Sequence, residues 1–217
     1  MRGCAVLQRV TAVQALTEEL RRQILNGDLP PGSKLPEVEL AERFKVARPT
    51  VRTAVQHLVE RGVLRRDTGR SAVVPELSRT DVRDVYFARE AVELHVVGHL
   101  CARDGTPARL KPVRQAMDRM RDLPDGAPWK EVAEADLAFH AALVEAAGST
   151  RLGRLFHGLM EEMRMCLVQL EAHYPRRADL IDEHEHLLDA LEAGDAPVAR
   201  ERMRAHLDSA VTALTGD

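Results

Sequence analysis

The sequence predicts a mainly α protein in two parts: a small N-terminal module of three helices and a β-hairpin, followed by an all-α antiparallel helical bundle. Three observations carry this prediction. Apolar residues recur at helical spacing through almost every segment, and paired short strand signals occur in one place, between residues 63 and 75. Charge is also unevenly spread, with 13 Lys and Arg against 9 Asp and Glu in residues 1–77, and 18 against 25 in residues 78–217. A basic front and an acidic rear suit a nucleic-acid module joined to a body that stays off the polyanion. At 217 residues the chain can bury a real core without disulfide or metal staples.

Residues 1–10 read as a loose N-terminus, with too short an apolar run for a signal peptide. From Thr11 to Asn26, Val13, Leu16, Leu20 and Ile24 form one helical stripe, which Gly27 and Pro30-Pro31-Gly32 terminate. Next come two short helices. Leu40, Ala41 and Phe44 share a face of the first, Lys45, Val46 and Ala47 make a turn, and Val51, Ala54, Val55, Leu58 and Val59 pack back from the second. The outward face of the second helix carries Arg48, Arg52 and Gln56 at four-residue steps, with Thr50 and Thr53 beside them. Guanidinium and amide forks near a helix N-terminus suit base edges and phosphates in a major groove. After them GVLRRDTGRSAVV reads as strands Val63–Arg66 and Ala72–Pro75 around the turn Asp67-Thr68-Gly69. Helix, helix-turn-helix and basic hairpin, in that order over residues 11–77, describe a winged helix-turn-helix.

The order LRRQILNGDLPPGSKL, then LAERFKVARPTVRTAV, then a Gly-Arg wing resembles the GntR family of bacterial transcription regulators over residues 11–75. The resemblance implies that Arg48, Thr50 and Arg52 contact DNA and that Gly69 and Arg70 form the wing tip. The chain departs from the family pattern at Lys45, where the turn commonly has glycine, at Ala47, where Ser or Thr is usual, and at Ser71, where a second wing glycine is common. Ala47 can neither cap a helix nor offer a hydroxyl to a phosphate. One short recognition helix reads few bases, so a homodimer on a two-fold double-stranded operator is expected.

Residues 78–217 read as helix throughout. Pro75 to Thr80 is the boundary, with Thr80 as a cap, and Asp81–Arg103 is a long helix. Thr106-Pro107 opens a helix to Leu123, and a Pro/Gly loop precedes Trp129–Ala147. Ser149 or Thr150 caps a helix to Tyr174, Pro175 breaks it, and Arg176–Ala193 and Ala196–Leu214 complete an antiparallel bundle.

Chemistry in this half gathers on inward stripes. Asp136 and His140 lie four apart among Val132, Leu137, Phe139 and Leu143, offset by only about 40° and about 6 Å. His184 shares a stripe with Leu180, Leu187, Leu188 and Leu191, whereas His186 sides with Asp182, Glu183 and Asp189 and is expected in solvent. His206 joins the row Ala199, Met203, Ala210. Buried histidines need partners. Periodicity leaves two readings open: a divalent metal on Asp136, His140, His184 and His206, zinc first with nickel, manganese or iron also suited, or core histidines bonded to backbone and carboxylates.

Residues 79–215 are also similar to the FadR-type C-terminal (FCD) domain of GntR regulators. That resemblance marks Asp136, His140, His184 and His206 as metal ligands. Arg89 by itself reads as a surface arginine paired with Glu90 or Glu93; the resemblance implies that it faces an effector pocket near the metal. A cation centre beside a guanidinium favours a small carboxylate effector over a long acyl chain. The expected function is a ligand-responsive transcription repressor with no enzymatic activity. The alternative is a metal-dependent hydrolase or lyase with a vestigial DNA module, for which no carboxylate is placed as the general base. Cys4, Cys101 and Cys166 are odd in number and far apart, which fits a reducing cytoplasm, and no stretch reaches the about 20 apolar residues of a membrane span.

Overall fold

The computed structural model describes residues 11–66, 71–102, 106–169 and 177–216, in two compact units that divide between Glu76 and Leu77. In the first unit α1 spans Ala12–Leu25, β1 Lys34–Leu35, α2 Glu37–Phe44, α3 Arg48–Glu60, β2 Arg65–Arg66 and β3 Ala72–Val73. Thr11 caps α1 through a reciprocal box with Gln14, and Leu16, Leu20 and Ile24 are buried as the stripe requires. Helix α1 packs on α3, and so does α2. The turn tip Asp67-Thr68-Gly69 and the loose residues 1–10 lie outside the described residues.

The sheet differs from the expected hairpin in two ways. It has three strands in the antiparallel order β1-β3-β2, with Leu35 and Arg66 both opposite Ala72. A two-residue strand such as β1 is too short to show an alternation in sequence. Val63 and Leu64, expected in the first strand, instead donate their N–H groups to the Leu58 carbonyl at 3.0 and 3.2 Å, closing the end of α3 with both side chains buried.

The turn between α2 and α3 has a residue in the left-handed region that is not glycine: Lys45 at φ 52°. Its N–H bonds back to the end of α2, but a Cβ in this region carries a steric cost. Ala47 stands at the N-cap of α3 with no side-chain hydrogen bond. Lys45→Gly and Ala47→Ser are each expected to stabilise the protein by about 1 kcal/mol, measured as a raised denaturation midpoint at constant slope. Loss of stability in both would show that the turn is not held as described.

The second unit contains α4 (Arg79–Cys101), α5 (Thr106–Arg109), α6 (Lys111–Arg121), α7 (Trp129–Ala146), α8 (Thr150–Gln169), α9 (Arg177–Glu192) and α10 (Ala196–Thr215). Ser78, not Thr80, caps α4: its hydroxyl accepts from the Asp81 N–H, and the Asp81 carboxylate accepts from the Ser78 N–H at 2.7 Å. The single helix expected over Thr106–Leu123 is two, α5 and α6, meeting at Leu110. Pro112 has no N–H to continue the ladder there. Helix α10 packs along α4 and α9, α7 lies against α6 and α8, and α4 also touches α7, α8 and α9. Gly98 lets Arg200 of α10 lie directly across α4, since a Cβ there would fall 1.9 Å from the guanidinium. Among the described residues no helix is long and apolar enough to cross a membrane.

Candidate metal centre and nucleic-acid interface

Three helices converge on one buried polar site. Helix α7 supplies Asp136 and His140, α9 His184 and α10 His206, each at most 2% exposed. One ligand atom from each of the four lies within 4.8 Å of all the others, so the group can hold a metal ion. His140 Nε2 is 3.1 Å from His184 Nε2 and 3.2 Å from His206 Nε2, and His184 Nε2 is 3.3 Å from Asp136 Oδ1. Phe139 packs edge-on against His184 and His140 and walls the site.

The other ring nitrogens decide what these distances mean. His140 Nδ1 faces Glu93 Oε2 at 2.5 Å, His184 Nδ1 faces the Leu180 carbonyl at 2.7 Å, and His206 Nδ1 faces Glu183 Oε2 at 2.8 Å. Carboxylate and carbonyl oxygens only accept, so each Nδ1 carries the proton and donates. Every Nε2 is then a bare lone pair, and the three are aimed at one another with no hydrogen between them. Asp136 adds two buried oxygens without a hydrogen bond; the nearby His184 Nε2, 3.3 Å from Oδ1, is one of these bare lone pairs and has no proton to give. Four electron-rich atoms converging without a shared proton make a donor set that can hold a cation.

Burial sets the electrostatics. It pushes His140 well below its ordinary range, helped by the Arg89 charge, and lowers His206 despite Glu183. Burial alone would raise the Asp136 carboxyl, yet His184, His140 and Arg89 hold it well below the usual carboxylate range. Below about pH 6.5 the unfolded chain therefore takes up protons that folded His140 and His206 refuse, and stability falls. Asp136 acts in the same direction at lower pH, since ionised Asp136 stabilises the fold until acid protonates it. The metal-free protein is expected to melt progressively lower from pH 7.5 to 5.5 in a calorimetric series; a flat profile would contradict the assigned neutral imidazoles.

Arg89 is 1% exposed, not at the surface, and its Nε donates to Glu93 Oε1 at 2.5 Å. Of the two partners expected for it, Glu93 is the one found, while Glu90 pairs with Arg204. Glu93 thus joins Arg89 to His140 through its two oxygens, and one guanidinium nitrogen of Arg89, Nη2, has no hydrogen-bond partner. Glu93, expected only as a surface partner of Arg89, is buried and reaches His140, and Glu183, expected on the solvated face, reaches His206. The signal was present in α4, where Val82, Tyr86, Arg89, Glu93, Val96 and Leu100 follow a strict four-three alternation and are all buried. An arginine and a glutamate in the middle of such a stripe must satisfy each other or a ligand.

In the first unit Arg48, Arg52, Thr53 and Gln56 are exposed along α3 and Thr50 half-buried, with Arg48 the first helical residue. Arg52 is held by Glu37 at 3.3 Å, the Thr53 hydroxyl donates to the Pro49 carbonyl, and Gln56 donates to Glu60. The N-terminus of α3 lacks a side-chain cap, but Pro49 has no N–H and the Thr50 and Val51 N–H groups bond to the Ala47 carbonyl, so this end offers a phosphate the helix dipole and the Arg48 guanidinium. Gly69 and Arg70 lie outside the described residues.

Comparison with known proteins agrees with both units. Residues 12–74 match the family described as bacterial regulatory proteins, gntR family, and residues 84–209 match the FCD domain. The chain is similar to the HTH-type transcriptional regulator LutR of Bacillus subtilis, 30% identical over 89% of this chain and 96% of that one. It is 27% identical to a Paenarthrobacter nicotinovorans protein named for repression of a D-xylose utilization operon, over 93% of this chain and 88% of the other. Among solved structures, a GntR-type protein from Rhodococcus sp. RHA1 superposes with a TM-score of 0.81 at 26% identity, covering 94% of this chain and 97% of its own. These relatives are transcription regulators and not enzymes, which removes the hydrolase or lyase alternative. The chain belongs to the GntR family of bacterial transcription regulators, with an FCD domain as its second unit.

Proposed function

We propose that this protein is a cytoplasmic, homodimeric repressor whose DNA affinity is set by a small carboxylate bound at a metal centre in the FCD unit. The observation that carries the reading is the convergence of three unprotonated Nε2 atoms and the Asp136 carboxylate next to an arginine with a spare nitrogen. Asp136, His140, His184 and His206 hold the metal. Ligand bonds of about 2.0–2.1 Å put neighbouring donor atoms roughly 3.0–3.4 Å apart, and the closest approaches are 3.1, 3.2 and 3.3 Å. Imidazole and carboxylate donors suit zinc first, with nickel, manganese or iron as alternatives.

Charge favours a monoanionic effector. Burial raises the Glu93 carboxyl and the Arg89 guanidinium bonded to it opposes the rise; with Glu93 kept ionised by that pair, Asp136, Glu93, Arg89 and three neutral imidazoles leave the buried site one unit negative, a divalent ion makes it one unit positive, and one carboxylate neutralises it. A sugar-derived or hydroxy acid fits this balance, and the Paenarthrobacter relative is named for sugar utilization. The metal supplies one anchoring point for an acid oxygen, and Arg89 supplies the other.

On the DNA side Arg48, Thr50, Arg52, Thr53 and Gln56 enter the major groove of a two-fold site, and Gly69 and Arg70 form the wing tip. Phe87 on α4 and Leu155 on α8 are 72% and 63% exposed, on helices that pack together, and such exposed apolar side chains suit contact with a second copy. Helix α4 begins at Arg79, just beyond the boundary between the units. An acid drawing α4 toward α7, α9 and α10 therefore shifts the segment that leads to the DNA-binding unit. The effect on DNA is bounded by the preference of the acid for one arrangement.

The test is native mass spectrometry of the full-length protein, followed by anisotropy titration of duplex DNA selected by the protein from random sequence. A dimer with one metal per chain is expected, and an acid that changes DNA affinity only when the metal is present. Acids acting equally after chelation would refute the metal-centred mechanism.

A further inference from the structure

Tyr86 stands one helical turn before Arg89 on the inward stripe of α4 and is 3% exposed. Its hydroxyl has no hydrogen-bond partner, and neither does Arg89 Nη2. The two do not satisfy each other; the guanidinium lies over the Tyr86 ring, its Cζ 5.1 Å from the centroid. Burial holds the phenol protonated, so its O–H is a donor, and the charges it feels include those of Arg89, Asp136 and Glu93. Buried hydroxyls are seldom left unbonded. Here two unbonded donors lie one turn apart on a helix that packs against α7, the helix carrying the unbonded Asp136 oxygens. A phenylalanine would fill the same apolar space without stranding a hydroxyl, so packing does not account for the tyrosine.

We propose that Tyr86 is a specificity-determining residue of the effector site, its hydroxyl and Arg89 Nη2 forming a two-donor clamp on the carboxylate of a short hydroxy or keto acid. This rests on the carboxylate reading above. The cation–π contact fixes the guanidinium against the ring, and the Glu93 bond fixes its Nε, so Nη2 is held in place before any ligand arrives. A neutral amide of the same shape presents one oxygen and an NH2 that faces two donors, and it is rejected for that reason.

The variant Tyr86→Phe removes one hydroxyl and leaves the metal ligands untouched. With full-length, zinc-loaded protein, thermal shift is followed against L-lactate, pyruvate and, as the uncharged control, lactamide. The wild type is expected to shift with at least one acid and not with lactamide. In Tyr86→Phe the concentration for half the shift should rise at least tenfold, zinc content should stay the same, and the ligand-free protein should melt no lower than the wild type. A variant that responds to the acids at wild-type concentrations overturns the role of Tyr86 alone. A ligand-free variant that melts lower also overturns it, because the hydroxyl would then have a structural partner. If the wild type responds to neither acid, the carboxylate reading fails, and this inference with it.

Discussion

Alanine in place of His184 should strip the metal and lower the melting temperature by about 8–16 °C, while His186→Ala, two residues along α9, should change neither. An ion bound only by the folded protein and present at a thousand times its dissociation constant adds about 4 kcal/mol, and in a chain of this size 1 kcal/mol moves the midpoint by about 2–4 °C. His184 is 1% exposed, and its Nε2 lies within 3.3 Å of both His140 and Asp136. His186 is exposed to solvent. Elemental analysis gives the metal content, and differential scanning calorimetry with and without chelator gives the stability. In His184→Ala the chelator should have no further effect, because the site it would empty is already gone. Equal losses at the two positions would show that the inward stripe of α9 is not what holds the ion.

The helices and the donor set were legible in sequence because both are written in one period. His184 among Leu180, Leu187 and Leu191, and His206 between Met203 and Ala210, stand where a helix can face only inward, and the structure buries them there. What periodicity does not carry is the partner of each buried group. Glu183 is one residue from His184 and on a different side of α9, yet it reaches His206 of α10, a contact fixed by helix packing. Arg89 illustrates the converse. Charged residues are so often on the surface that its place in the four-three stripe of α4 was outweighed by its type, and only the fold shows the stripe prevailing because Glu93 pairs with it. The wing was read in outline and misplaced in detail. Val63 and Leu64 have strand-forming side chains but are used to close α3, a role set by the hydrogen bonds at a helix end.

Removing Arg48 and Arg52 together should reduce operator affinity by at least about fivefold to 150-fold, since the base-edge contact of Arg52 is worth about 1–3 kcal/mol and loss of the Arg48 phosphate contact adds to it. Thermal stability should hardly move, because both side chains are exposed on α3 and the apolar face beneath them, Val51, Ala54, Val55 and Leu58, is untouched. The single variants separate the roles. Arg48 is the first residue of α3, beside the uncapped N-terminus where a phosphate is favoured. Arg48→Ala should therefore weaken binding about equally across DNA sequences and lower the slope of log affinity against log salt by about 0.9. Arg52 lies a turn further along and is braced by Glu37, whose side chain is only 12% exposed, so its fork is directed before DNA arrives. Arg52→Ala should relax preference at one base pair of each half-site while the salt slope changes less. Anisotropy titrations on the selected operator and on single-base variants, each at several salt concentrations, measure both quantities. Full affinity in the double variant would mean that α3 presents a solvated face and that another surface of the protein meets the DNA.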